Sequence, residues 1–267
     1  MTILRYTASL DNTITNAFDS SLLNRATASN MGAADILEVF SIYGNATTAS
    51  VELSRILIQF PIDKIIEDRN NDIIPASGSV KFMLKLYNAP HFQATPRNFD
   101  LLISAVSSSW QEGDGMDMDN YLDTVPSGGI GSNWLTSSKG NQWVKAGGDY
   151  HNLPTSSYTF TTGLEDLNVD VSNIVEHWIK GAGGDHDNGR NNYGFGIRLT
   201  NEYEGYFSGS TDAEMSGNIN IHNITGSTES YYTKKFFGRG TEFFFKRPVI
   251  EAQFDNRIKD DRSNFYL

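Results

Sequence analysis

Apolar residues recur at every second position along most of this chain, and this period restricts the chain to β-structure. Successive side chains of a strand point to opposite faces, whereas an amphipathic helix repeats about every 3.6 residues. The alternating segments are residues 3–8, 35–43, 54–60, 80–87, 101–106, 194–200 and 249–254. Seven or more strands with few helices predict an all-β fold, an antiparallel sandwich.

Two short segments have the helical period instead. In residues 61–68, isoleucines are three and four positions apart, and residues 169–180 place Val171, Ile174, Val175 and Trp178 on one stripe. Spacings of three and four put side chains on one face of a helix. We therefore predict two short connecting helices across the ends of the sandwich.

Composition excludes several classes of function. The chain has 267 residues, no cysteine and a formal net charge of −11. The absence of cysteine excludes disulfide frameworks, thiolate metal sites and cysteine nucleophiles. A net negative charge opposes binding to phosphate backbones, so we expect no nucleic-acid partner.

The sequence predicts neither a membrane span nor a secretory leader. No run of apolar residues approaches the ~18 that a transmembrane helix needs, so no membrane partner is expected. The first ten residues alternate as a strand does and lack the apolar core of a signal peptide. We expect the chain to fold in a cytoplasm, or to be extracellular if a leader has been removed.

Long polar, glycine-rich segments separate the alternating ones, at residues 110–148, 181–192 and 203–230. Loops of such length are uncommon in compact domains. They are interpreted as binding surfaces, as contacts with other subunits, or as strands that the pattern does not show. No shift in composition divides the chain, so we predict one domain, residues 1–255, followed by a C-terminal extension or docking arm, residues 256–267.

A candidate calcium loop lies in the first of these segments. Its carboxylates recur at short intervals and are Asp114, Asp117, Asp119 and Asp123. Calcium takes six to eight oxygen ligands, but the EF-hand pattern of glycine at position six and glutamate at position twelve is not met. A solvated acidic loop is the alternative, and no cofactor other than calcium is suggested.

No catalytic motif is present. The chain lacks a G-x-S-x-G elbow, an H-E-x-x-H zinc motif and a phosphate-binding P-loop, and the Asp185-His186-Asp187 cluster lacks the spacing of zinc ligands. We therefore expect a protein that is not an enzyme. Trp134 and Trp143 are candidate glycan-binding residues, because flat aromatic faces stack on sugars, but buried core positions are the alternative.

The segment at residues 231–248 has the most unusual composition. It holds seven aromatic and several basic residues, although the whole chain is acidic. The segment is either a closing strand, whose rings fill the core while its charges stay in water, or a surface that contacts another protein. The residues expected to dock on a partner are Phe243, Phe244, Phe245, Arg247, Arg262, Phe265 and Tyr266.

The order of these segments resembles the DNRLRE-type modules, which are related to disaggregatase and to carbohydrate-binding modules. The resemblance rests on Asp11-Asn-Thr13-Ile14, residues 54–60 and 80–87, Trp110-Gln-Glu-Gly113, residues 169–171 leading to Trp178, Asn192-Tyr-Gly-Phe195 and Pro248-Val-Ile-Glu-Ala. It covers nearly all of residues 1–255. It implies a jelly-roll-like β-sandwich of a surface protein.

Two segments depart from that family. Residues 236–248 replace its characteristic tract, and the tail at residues 259–265 is an addition. Both are similar to segments of tailed-bacteriophage virion proteins. The resemblance implies a virion structural protein, a capsid decoration or tail component on the virion surface, assembled in the host cytoplasm. Its partners would be other virion proteins, with homo-oligomers and host-surface glycans as further candidates. A carbohydrate-binding module of a surface or secreted protein is the alternative.

Overall fold

Two antiparallel β-sheets packed face to face form the protein, which confirms the predicted all-β sandwich. The computed structural model describes residues 1–43, 51–90, 95–124, 130–181, 189–206, 223–228 and 231–256. The smaller sheet has the strand order β1-β13-β5-β10. Its strands are β1 (Thr2–Thr7), β5 (Val80–Leu86), β10 (Leu167–Asp170) and β13 (Val249–Phe254).

The larger sheet has the order β12-β3-β4-β11-β6-β9, and β2 also pairs with β4. Its strands are β2 (Leu10–Thr15), β3 (Ile36–Tyr43), β4 (Val51–Gln59), β6 (Phe99–Val106), β9 (Tyr150–Phe160), β11 (Phe195–Leu199) and β12 (Tyr231–Phe237). A separate hairpin joins β7 (Thr136–Ser138) to β8 (Asn141–Gln142). Part of the predicted loop at 110–148 is therefore strand, as one of its interpretations allowed.

The main core lies between the two sheets and follows from the alternation. In β5, Phe82, Leu84 and Leu86 face this core and are fully buried, whereas Lys81 is exposed. One face of β5 therefore meets apolar side chains and the other meets water. This arrangement is why residues 80–87 alternate so clearly.

Strand β4 is buried on both faces, because a second apolar cluster covers the outside of the larger sheet. Ile56 and Ile58 belong to the main core, whereas Leu53 and Leu57 belong to the second cluster. Trp110, Trp134 and Trp143 pack against this outer face from the 107–149 segment, which follows β6. The long loop is thus a third layer over the larger sheet.

The two predicted helices are present, with adjusted bounds. Helix α1 spans Ile62–Asn70 and helix α2 spans Ser172–Lys180. Val169 and Asp170, which we placed in the second helix, are instead the end of β10, where Val169 pairs with Leu84. Arg69 joins the helices by donating two hydrogen bonds of 2.7 Å to the Glu176 carboxylate.

Candidate functional site

Three consecutive phenylalanines are exposed between β12 and β13. Phe243, Phe244 and Phe245 leave 42%, 74% and 60% of their surface in solvent. Phe244–Lys246 forms a single turn of 3-10 helix. We name residues 243–247 the phenylalanine turn. The aromatic-rich segment is thus divided, because Phe236 and Phe237 are buried in the way a closing strand requires.

Contacts within the phenylalanine turn and with Phe237 of β12 hold its rings in place. The Phe244 and Phe245 centroids are 5.6 Å apart with their planes nearly perpendicular, and Phe243 lies edge-on to Phe237 at 5.8 Å. The Lys246 ammonium lies 4.6 Å from the Phe237 ring centroid. These edge-on and cation–π contacts fix an apolar surface before any partner arrives.

Arg247 fixes the end of the turn. Its Nε and Nη2 each donate to the Thr241 carbonyl at 3.3 Å. The sequence predicted a docking role for Arg247 at the rim of an interface, and the structure shows its contact within the chain. Arg262, Phe265 and Tyr266, the other docking residues predicted, lie outside the described residues, as do Asp185, His186 and Asp187.

An acidic pair anchors the segment before the turn. The Glu112 carboxylate accepts from Arg239 Nη2 at 2.7 Å and Nε at 3.2 Å, and also from the Asp11 amide at 2.8 Å. Asp11 accepts the backbone N–H of Arg239. Burial raises the pKa of Asp11 to about 7, and the nearby Glu112 carboxylate contributes to the rise.

We expect Asp11→Asn to stabilise the protein at pH 8 by about 1 kcal/mol or more. Because the folded pKa is raised above 3.8, the folded state binds more protons from about pH 4 to 7, and the wild type loses stability as pH rises through that window. The uncharged asparagine can still accept from Arg239. Urea unfolding at pH 5 and pH 8 measures the difference, with the exposed Asp114→Asn as control. An equal effect at both pH values would contradict the prediction.

The tryptophans predicted as candidate glycan-binding residues are in the second apolar cluster. Trp134 is fully buried and Trp143 is 5% exposed, so neither ring offers a face to a sugar. Trp143 Nε1 donates to the Asn133 carbonyl at 2.8 Å, as a buried indole should. The alternative, that these residues are core, is the one the structure supports.

Carboxylates of the acidic loop accept hydrogen bonds from the backbone amides of the same loop. The Asp117 carboxylate accepts from the amides of Asp119, Asn120 and Leu122, at 2.8–3.1 Å. The Asp123 carboxylate accepts from Met116 and Asp117. In the described part of the chain, no group of three or more acidic or histidine side chains is placed to hold a metal. The four aspartates therefore form no calcium cage there.

A polar pocket that the sequence did not predict lies on the outer face of the larger sheet. It has a volume of about 260 Å³. Its charged lining residues are Arg55, Lys145, Arg198 and Glu204. A signal was available in β4, where Arg55 shares its face with Leu53 and Leu57 although that face is apolar. A cation at such a position needs a partner or a ligand.

None of the helices in the described ranges is long and apolar enough to cross a membrane. No protein-family model matches the chain, and no curated protein matches it either. The structure alone therefore defines the class of this protein: an antiparallel β-sandwich with a surface turn of exposed aromatic residues.

Proposed function

We propose that the protein is a non-enzymatic structural component that docks on neighbouring subunits of a larger particle through the phenylalanine turn. The observation that carries the proposal is the run of three exposed phenylalanines. Large apolar groups clustered on a surface mark sites of protein contact, and aromatic side chains contribute most to such contacts. Lys246 and Arg247 follow the rings and the exposed Glu242 precedes them, so the partner surface should be apolar with charged groups of both signs at its rim.

The particle we propose is the virion of a tailed bacteriophage, with the chain on its surface as a capsid decoration or a tail component. This step rests on the resemblance of residues 236–248 and 259–265 to segments of virion proteins. The ring contacts of the phenylalanine turn support docking, although not this particular particle: a surface ordered in advance loses little conformational entropy when subunits assemble.

The double variant Phe244→Ser with Phe245→Ser should enter particles at least about tenfold less than the wild type. Both rings are exposed, so the variant should fold normally. The test supplies tagged chain during growth of the phage that carries its gene and measures the tag in particles purified by density gradient. Leu23→Ser is the matched control, because Leu23 is an 82% exposed apolar residue that does not belong to the phenylalanine turn.

Two results would contradict the proposal. Absence of the wild-type chain from particles would exclude a virion component, and incorporation of the double variant at the wild-type level would exclude the phenylalanine turn as the docking surface. A melting temperature equal to that of the wild type shows that a loss of incorporation is not a loss of folding.

A further inference from the structure

The polar pocket outside the larger sheet contains more positive charge than its own acids neutralise. Its lining holds three cations, Arg55, Lys145 and Arg198, and one carboxylate, that of Glu204. The whole chain is acidic, with a net charge of −11, so this local excess of positive charge runs against its composition. Such a cluster attracts an anion that none of the described residues supplies.

The two arginines lie side by side because of sheet register. Ile56 of β4 pairs with Ile197 of β11, and Arg55 and Arg198 are the adjacent residues on these antiparallel strands. Both guanidinium groups approach the Tyr150 ring, with the Arg55 and Arg198 carbons 5.9 and 5.8 Å from its centroid. Gly196 makes room for this ring, since a Cβ there would lie 1.9 Å from Tyr150 Cε1.

Within the described residues, a carboxylate of the pocket pairs with Arg55 but not with Arg198. Arg55 Nη2 is 3.4 Å from Glu204 Oε1, and its Nη1 donates to the Gly147 carbonyl at 3.0 Å. Within the described residues, Arg198 has no carboxylate within 4.0 Å, and its hydrogen bond to Asn201 Oδ1 is long, at 3.4 Å. The buried Nε atoms of both Arg198 and Arg55 have no partner there, so the two arginines differ in their carboxylate contacts.

The pKa values follow the same division. Burial and the neighbouring Arg55 guanidinium lower the pKa of Arg198, and the Glu204 carboxylate and Tyr150 oppose this change only in part. Although burial also acts on Arg55, the Glu204 carboxylate and Tyr150 raise its pKa. A like-charged, desolvated pair costs stability unless an anion occupies the site.

We propose that this pocket binds a small carboxylate, whose two oxygens lie against the guanidinium group of Arg198. A planar carboxylate matches the fork of a guanidinium. Multivalent anions fit less well, because the Glu204 carboxylate lines the same space. The exposed Lys145 lines the pocket as a further cation, and the exposed Asn152 is a further polar lining residue.

The volume limits the ligand to a small acid or to one acidic group of a longer chain, since pockets for drug-sized ligands begin at about 300 Å³. Acetate represents the free acid. An acetylated, amidated glutamate presents the same group on a peptide backbone. The probe that binds more tightly shows whether the carboxylate belongs to a free acid or to a peptide.

The experiment titrates ¹⁵N-labelled full-length protein with each probe at constant ionic strength and follows the arginine Nε–Hε signals. We expect a saturable shift of the Arg198 signal with a Kd of about 1–10 mM. Lys145→Gln should weaken binding about fivefold without unfolding the protein, because Lys145 is exposed. Arg198→Gln should abolish it, whereas Arg97→Gln, an exposed arginine elsewhere, should change nothing.

Three results would overturn the proposal: no saturable shift, equal affinity in Lys145→Gln and wild type, or sulfate binding as tightly as the carboxylates. Because Lys145→Gln should fold whatever the fate of Arg198→Gln, the test does not depend on the buried variant. Its result is also independent of whether the phenylalanine turn docks on a partner.

Discussion

Lys234→Met should lower the free energy of unfolding by about 3 kcal/mol. Lys234 is 1% exposed, and its ammonium donates to Asn88 Oδ1 at 2.6 Å and to the carbonyls of Gly163 and Glu165 at 2.8 Å each. A methionine fills the space but leaves three acceptors without a donor, each at a cost of about 1 kcal/mol or more. The ammonium also lies 4.8 Å from the Phe160 ring centroid, so a cation–π contact is lost as well.

Lys235→Met is the matched control, because Lys235 is the next residue of β12 and points to the opposite face. Its side chain is 28% exposed and lies 3.5 Å from Glu38 Oε2, and such a partly solvated pair is worth about 1 kcal/mol or less. Urea unfolding at pH 7 compares the two variants. If they lose equal stability, the hydrogen bonds of Lys234 do not hold β12 to the 163–165 loop.

The contribution of Lys234 should also change with pH. Burial lowers its pKa from 10.5 to about 8, although the carboxylates of Glu165 and Asp166 oppose the change. Between pH 8 and 10.5 the unfolded chain therefore binds more protons than the folded one. The wild type should gain stability over Lys234→Met as pH rises through this window.

Lys234 also shows what the alternating pattern could predict and what it could not. A period of two places Tyr232, Lys234 and Phe236 on the same face of β12. That face points into the core. We expected charges of this segment to stay in water if it were a closing strand, which is wrong for Lys234. A buried lysine needs acceptors, and they come from the residues that follow β5 and β9, which no local pattern could identify.

The alternating pattern predicted strands such as β4 and β5 but missed β9 and β10, although β10 meets the core with one face. The sequence did not predict strand β9, because Tyr150–Phe160 is rich in serine, threonine and exposed positions. It is an edge strand of the larger sheet, and in the part of the chain that the structure describes it pairs with β6 alone, so it can form without a continuous apolar face. Long-range pairing, and not local propensity, decides such a strand.

The two candidate sites also differ in how well the sequence could predict them. The phenylalanine turn is contiguous in sequence, so its composition alone drew attention to residues 243–245. The polar pocket joins Arg55, Tyr150, Arg198 and Glu204, which lie on separate segments. Only the register of β4 and β11, together with the loop after β11, brings them together, so composition could not reveal them.

Trp134→Ala should destabilise the protein by about 3–5 kcal/mol, the range for a large aromatic removed from a core. Trp134 is fully buried in the second apolar cluster. Its ring packs against Gly147 so closely that a Cβ on that glycine would lie 2.8 Å from it. The backbone around Gly147 cannot easily close the cavity, because the Gly147 carbonyl accepts from both Arg55 and Tyr150.

The control for that loss is Phe244→Ala, the same kind of truncation at a ring that is 74% exposed, which should change the unfolding free energy by less than about 0.5 kcal/mol. Trp134→Ala should also disturb the polar pocket, because the Arg55 guanidinium lies 5.1 Å from the Trp134 ring centroid. Carboxylate binding, if measured in this variant, should weaken together with stability. A Trp134→Ala protein as stable as the wild type would instead place this ring at the surface, where a sugar could stack on it.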